Sequence, residues 1–135
     1  MGQTARRRVQ RKGRALDLFS GTGSVANRLR ELGFEVITLD IDPRTNPTIC
    51  CSVEEWDYSQ YSPGVFKVIA ASVPCADYSL AKTSAPREFE RAIFLVCKVM
   101  DIIEYFLPKI WWVENPRYGY LREQPMVRDL PFSRY

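Results

Sequence analysis

A cysteine set directly after a proline, Pro74-Cys75, is the best-placed nucleophile in this sequence. It follows Val68-Ile-Ala-Ala-Ser72, a small-residue apolar run that reads as a buried strand, so the thiol stands just past a strand end where a loop exposes it. A thiolate in that position can attack an electrophilic carbon, and neighbouring amide groups can lower its pKa. Glu114 has the same placement at the end of Ile110-Trp-Trp-Val113, with Asn115-Pro116 fixing the loop behind it. A carboxyl at a buried strand end is costly unless paired or used; partly desolvated, it keeps its proton and can donate it to a ring nitrogen. The third element is a glycine turn, Gly21-Thr22-Gly23, between the apolar run Ala15–Phe19, which contains the single acid Asp17, and a helical pattern. Strand, glycine turn and helix in that order make a nucleotide-type pocket, with the amide groups that open the helix facing the ligand.

These residues need a scaffold that gathers strand ends, and the rest of the pattern supplies one. After the glycine turn, Val25, Leu29 and Leu32 recur at helical spacing, and Gly33 is a fitting stop. Val36–Leu39 reads as a second buried strand running into Asp40-Ile41-Asp42-Pro43, and Asp40 lies 19 residues after Gly21, where a ribose-binding acid belongs. Thr48–Cys51 reads as a short third strand, although Pro43–Pro47 is much shorter than the roughly dozen residues a parallel crossover needs. Val53–Asp57 is acidic and polar and leads into a Tyr/Ser/Pro/Gly loop to about Gly64. Pro86 opens a long helix to about Leu107, with Phe89, Ile93, Val96, Met100, Ile103 and Leu107 on one face and Pro108 as its stop. Strands alternating with helices predict an α/β fold whose ligand crevice lies beyond the strands' carboxyl ends, where Asp40, Pro74-Cys75 and Glu114-Asn115 fall.

The 135 residues suit one core domain over 15–135 behind a basic arm over 1–14. That arm carries six positive charges and no acid, so the remainder of a chain of net charge +3 is mildly acidic, a distribution that suits nucleic acid. The most apolar stretch, Ile93–Leu107, is interrupted by Lys98, Asp101 and Glu104, which favours a core helix over a membrane span. With no histidine and no Cys-X-X-Cys pair, a zinc site and histidine-assisted hydrolysis are not expected. Cys97, Cys50 and Cys51 read as packing residues in a reduced protein inside a cell: cytoplasm, nucleus or, for a viral chain, the host. The glycine turn by itself leaves the cofactor open, because Gly21-Thr-Gly23-Ser-Val-Ala26 also satisfies the dinucleotide pattern.

Taken together and in order, Asp17-Leu-Phe-Ser-Gly-Thr-Gly23, Pro74-Cys75-Ala-Asp-Tyr-Ser79 and Glu114-Asn115-Pro116 resemble the signature motifs of the DNA cytosine-5 methyltransferases over roughly residues 15–121. The resemblance implies a Rossmann-like, mostly parallel sheet of the S-adenosylmethionine-dependent type, incomplete at its C-terminus, and S-adenosylmethionine as cofactor. Asp17, Phe19, Ser20, Gly21, Thr22 and Gly23 would then form the cofactor loop, with Asp40 on the ribose and Ile41 beside it. Cys75 would add to carbon 6 of a cytosine swung out of DNA, turning carbon 5 into the nucleophile for the methyl group. Glu114 would hold the ring nitrogen and amino group, Asn115 would order that loop, Pro74 would shape the loop between cofactor and base, and Ser79 would belong to a closing segment.

The sequence departs from the family pattern in places. Ser52 stands where an acid usually meets the adenine amino group, which leaves Glu54 or Asp57 as substitutes. Ala76 replaces a usual Gln, and Ser24 a common glycine. No later arginine-bearing motif or target-recognition region follows Glu114, so the expectation is a catalytic half: an active core, a truncated or inactive form, or one completed by a missing half or a partner that supplies target recognition. A non-catalytic S-adenosylmethionine- or DNA-binding module and an RNA cytosine-5 methyltransferase stand as alternatives, with a dinucleotide oxidoreductase behind them because it uses neither Cys75 nor Glu114.

Overall fold

The run Ala15-Leu-Asp-Leu18 is apolar at every position but one because it lies between two other strands with both faces covered, the usual fate of a central parallel strand. The computed structural model describes residues 12–74 and 85–114, with the side chains of the long helix from Glu90 onward. Among them are β1 (Arg14–Leu18), α1 (Ser24–Glu31), β2 (Glu35–Asp40), β3 (Ile49–Cys50), β4 (Phe66–Ser72), α2 (Ala85–Phe106) and β5 (Ile110–Glu114). The strands form one all-parallel sheet in the order β3-β2-β1-β4-β5. This is the α/β, Rossmann-like arrangement expected, and the chain direction across the sheet reverses between β1 and β4.

Side chains alternate across the sheet and sort into two cores. Leu16, Leu18, Leu39, Ile69 and Ala71 pack under α2, while Ala15, Val36 and Val68 pack under α1 with Ala26 and Leu29. The buried stripe of α2 is Ala92, Leu95, Val96, Val99, Ile102, Ile103 and Phe106, so the face expected from sequence is rotated. Val96 and Ile103 belong to it, Ile93 and Met100 lie half-buried at its margin, and Leu107 is 75% exposed. The cause of the last is backbone: Leu107 takes a left-handed φ of 50°, ending the helix before Pro108. β5 also differs from the buried strand its composition suggested. It is an edge strand on which only Val113 is buried, Trp111 and Trp112 are half-buried, and Ile110 is 57% exposed. Cys97 is half-buried, nearer the margin of the core than its centre.

The connection from β2 to β3 is short because it returns only part of the way. β3 pairs with the last two residues of β2, Leu39 with Ile49 and Asp40 with Cys50, so the chain drops back only to the level of Thr38. There the Thr48 amide donates to Thr38 Oγ1 at 2.8 Å and the Thr38 amide donates to Thr48 Oγ1 at 3.1 Å. A 3₁₀ turn over Pro43–Thr45 takes the place of a crossover helix. The loop after β3, expected to be polar, contributes Val53 and Trp56 to the core. Trp56 packs within an aromatic cluster with Tyr58, Tyr61 and Phe106, and Tyr105 Oη donates to the Tyr61 carbonyl at 2.7 Å.

Candidate active site

The carboxyl ends of β2, β1 and β4, with α2 across them, enclose a cavity of about 460 Å³, a size that suits a small-molecule ligand. Phe19, Leu39, Asp40 and Ile41 line it from the ends of β1 and β2, and Cys51, Ser52, Val53 and Glu54 from the loop after β3. Ser72 and Pro74 line it from the end of β4, and Arg91, Ala92 and Leu95 from α2. Its place beside the β1–β4 reversal is where open α/β sheets hold ligands.

The glycine turn shapes this cavity without lining it. The Ser20 amide donates to the Leu39 carbonyl at 3.1 Å, carrying the β1–β2 ladder past Phe19. Phe19 itself is turned into the cavity wall with a left-handed φ of 57°, a conformation that costs a bulky residue roughly 1–3 kcal/mol and persists only where the surroundings impose it. Gly21 (φ 50°) donates its amide to Asp40 Oδ2 at 2.8 Å, and the Gly23 amide donates to the Ser20 carbonyl at 2.9 Å. The Gly21 and Gly23 amides are therefore spent inside the loop. Asp40 Oδ1 accepts from the Asp42 amide at 2.8 Å. Each Asp40 oxygen keeps a lone pair, so the carboxylate is held rigidly at the cavity wall with capacity for two hydroxyl donors.

Asp17 is the most unusual group nearby. It is 1% exposed, and neither carboxylate oxygen has a hydrogen bond of normal geometry. Burial pushes its pKa up from 3.8 to about 6. The Ala26 amide at the start of α1 and the Arg30 guanidinium offset part of that, while the negative charges of Asp40 and Glu114 add to it. The desolvated acid of this site is thus Asp17, inside β1, whereas Glu114 is exposed at the end of β5.

The remaining sequence candidates divide. Pro74 is at the cavity and Glu114 is one strand away: Ser72 pairs with Glu114, and the Val73 amide donates to the Glu114 carbonyl at 2.9 Å. Glu54 lines the cavity with its Oε1 2.6 Å from Arg91 Nη2. Asp57 does not line it; its Oδ1 accepts from the Ser59 amide and caps a 3₁₀ turn over Tyr58–Gln60. Ser20, Gly21, Thr22 and Gly23 form the turn beside the cavity. Cys75, Ser79 and Asn115 lie outside the described residues. Sequence reasoning missed Arg91 and Cys51. Cys51 lines the cavity, while Cys50 faces outward with its thiol on the Ile41 carbonyl. No local pattern marks Arg91, because only the packing angle of α2 brings it to Glu54.

These residues fit a nucleoside-type cofactor. Apolar Leu39, Ile41, Val53 and Leu95 give walls for a flat base, and Asp40 stands ready for a ribose. Among the described residues no group of His, Cys, Asp or Glu is arranged to hold a metal ion, and no helix is long and apolar enough to cross a membrane.

Comparison with known proteins agrees with this geometry. Residues 13–118 match the family model for C-5 cytosine-specific DNA methylase. A protein of Frog virus 3 (isolate Goorha), named as a probable DNA (cytosine-5)-methyltransferase, is 34% identical over 124 residues, covering 82% of this chain and 56% of the viral protein. The chain therefore spans little more than half the length of that relative.

Proposed function

The chain belongs to the C-5 cytosine-specific DNA methylase family, and on that premise we propose that it transfers the methyl group of S-adenosylmethionine to carbon 5 of cytosine in DNA. One observation carries most of the reading. The strand whose sequence leads into Pro74 and then Cys75 ends at the same cavity that Phe19 and Asp40 line, with Glu114 on the neighbouring strand end. S-adenosylmethionine, when bound, supplies an electrophilic methyl group on a sulfonium centre.

The chain's residues do the rest. Asp40 would accept from the ribose hydroxyls of the cofactor, and Phe19 and Ile41 would hold its base. Glu54, held by Arg91, serves the base's amino group in place of the acid that Ser52 replaces. The Cys75 thiolate adds to carbon 6 of an extruded cytosine, which makes carbon 5 nucleophilic. Glu114 holds the ring nitrogen and exocyclic amino group and so stabilises the adduct. After methyl transfer, a water molecule takes the proton from carbon 5, the carbon–hydrogen electron pair re-forms the double bond between carbons 5 and 6, and the carbon 6–sulfur bond breaks to release the Cys75 thiolate. Pro74 and Asn115 hold the two loops in register, and Ser79 belongs to the segment that closes over the base. The alignment of sulfur, ring and methyl is a matter of positioning, which neighbouring strand ends provide without histidine.

The test uses DNA containing 5-fluorocytosine, whose carbon 5 cannot release a proton and so traps the adduct. The native chain with S-adenosylmethionine is expected to form a denaturation-resistant complex. Cys75→Ser is expected to lose it while binding the cofactor with unchanged affinity. Cofactor and DNA binding with no adduct would overturn the catalytic reading in favour of a binding module, and trapping only on the RNA counterpart would reassign the substrate.

A further inference from the structure

We propose that the amino ends of the strands, at the opposite end of the sheet from the cavity, form a second nucleic-acid surface. There Lys12, Lys67 and Lys109 hold the phosphates of a duplex segment that does not enter the cavity. The inference goes beyond the methyl-transfer reading and does not depend on it.

Three adjacent strands bring these lysines into one row. Lys12 leads into β1, Lys67 is the second residue of β4, and Lys109 immediately precedes β5. All three are exposed. The Lys109 amide donates to the Lys67 carbonyl at 3.0 Å, and Lys67 Nζ donates to the Lys12 carbonyl at 3.1 Å. Neighbouring strands lie about 4.8 Å apart, so the row spans roughly 10 Å, over which a duplex carries about six phosphate charges.

Lys67 reaches this row through a departure from regular strand geometry. Arg14 pairs with Phe66 and Ala15 with Val68, so Lys67 is the extra residue of a β-bulge. In a regular strand Phe66 and Val68 would share a face. Here Phe66 belongs to the core under α2 and Val68 to the core under α1, and the lysine between them is turned out to water. Its stem packs over Gly13, a glycine at φ 118° whose added Cβ would lie 3.5 Å from Lys67 Cδ. A bulge interrupts the ladder of a central strand, and what it gains is a re-aimed side chain.

Charge sorts along the strand direction. Among the described residues Arg14, Arg28, Arg44 and Arg91 are each paired with an acid, whereas Lys12, Lys67 and Lys109 have no acid partner. Glu35, at the start of β2, faces Arg14 at 3.5 Å. Asp101 and Glu104, exposed near the end of α2, form no ion pair with any of the three lysines. At the carboxyl ends the free charges have the other sign, since Asp40 and Glu114 stand there without an ion pair. The sequence immediately before Lys12 carries four more cations, Arg6, Arg7, Arg8 and Arg11, outside the described residues. Such a row fits a polyanion read without regard to base sequence, because ammonium groups contact phosphates and release their counterions whatever the bases. β4 spans seven residues, about 23 Å, so a duplex lying across this end is a different segment from one that delivers a base to the cavity.

Fluorescence anisotropy of the full chain with a duplex built of A·T pairs alone, which has no cytosine to offer the cavity, tests this. Between about 50 and 200 mM salt, the slope of log K against log salt is expected to be shallower by about 2 in Lys67→Gln/Lys109→Gln. Its Kd at 100 mM salt is expected to rise on the order of tenfold. Lys67→Arg/Lys109→Arg is expected to keep the native slope, and so is Lys98→Gln, midway along α2. An unchanged slope in the glutamine double variant, or an equal loss in Lys98→Gln or in the arginine double variant, overturns the proposal. So does binding to phosphatidylserine vesicles that the two glutamines abolish while duplex binding persists, which would assign the row to a membrane surface. Failure to form the 5-fluorocytosine adduct strikes the methyl-transfer reading alone and leaves this surface standing.

Discussion

Replacing Asp17 by asparagine is expected to stabilise the fold at neutral pH, by an amount the burial of the carboxyl sets. The acid titrates at 3.8 in the unfolded chain and at about 6 in the folded one, so folding takes up a proton between those values. The stabilisation contributed by the protonated acid is complete below pH 3.8 and is lost as the pH rises through about 6. At about 1.4 kcal/mol per pH unit, that loss is roughly 3 kcal/mol by pH 7.5, a large part of the 5–15 kcal/mol typical of a domain. Asparagine has nearly the same shape, carries no charge at any pH and leaves a similar polar group buried. Thermal melts followed by circular dichroism at half-unit steps from pH 3.5 to 8 should therefore show native and Asp17→Asn chains together at the acid end. They should diverge between pH 4 and 7, to a difference on the order of 10 °C in favour of the variant. A difference that does not change with pH, or a variant that melts lower at pH 7.5, would refute the reasoning, since either means that the carboxylate is satisfied in the folded protein.

Three further expectations follow from the loops around the cavity. Gly21→Ala should cost about 1–2 kcal/mol in denaturant unfolding from the left-handed φ alone, because an added Cβ at that position meets nothing within 4 Å, and Gly21→Asn should cost less. Thr38→Val strands the Thr48 amide and should destabilise by about 1–3 kcal/mol, with Thr38→Val/Thr48→Val costing less than the sum of the two single changes in a double-mutant cycle. Arg91→Met should change the unfolding free energy by no more than about 1 kcal/mol, since its pair with Glu54 is largely exposed on the arginine side, yet weaken cofactor binding several-fold in titration calorimetry by freeing Glu54 from the cavity wall.

The sheet was legible in the sequence wherever strands are buried on both faces. Ala15–Leu18 and Val68–Ser72 read correctly because central parallel strands must be apolar throughout, and the alternation with helices pointed to a parallel sheet. The β2–β3 connection was not legible. A crossover length is estimated from strands that pair along their whole length, whereas here two residues pair at one end and a threonine pair closes the gap. Composition misled at β5, where a tryptophan-rich run stands at a sheet edge, and along α2, which is apolar over so much of its circumference that periodicity alone could not choose the buried face.

The electrostatics of the site show the same division. Spacing after the glycine turn singles out Asp40, and the strand end beside a Trp-Trp run suggests Glu114 as the partly desolvated acid. Register decides this instead. Glu114 ends an edge strand and stays in water, whereas Asp17 sits two strands inward with sheet on both sides and α1 above it. The signal was present, since a lone acid within Ala15-Leu-Asp-Leu-Phe19 interrupts an otherwise apolar strand, and such an acid is either paired or kept for use. Choosing between those needs the third dimension: it is burial without a hydrogen bond of normal geometry, together with the Asp40 and Glu114 charges brought to the same face, that turns an oddity of the strand into a buried acid with a raised pKa.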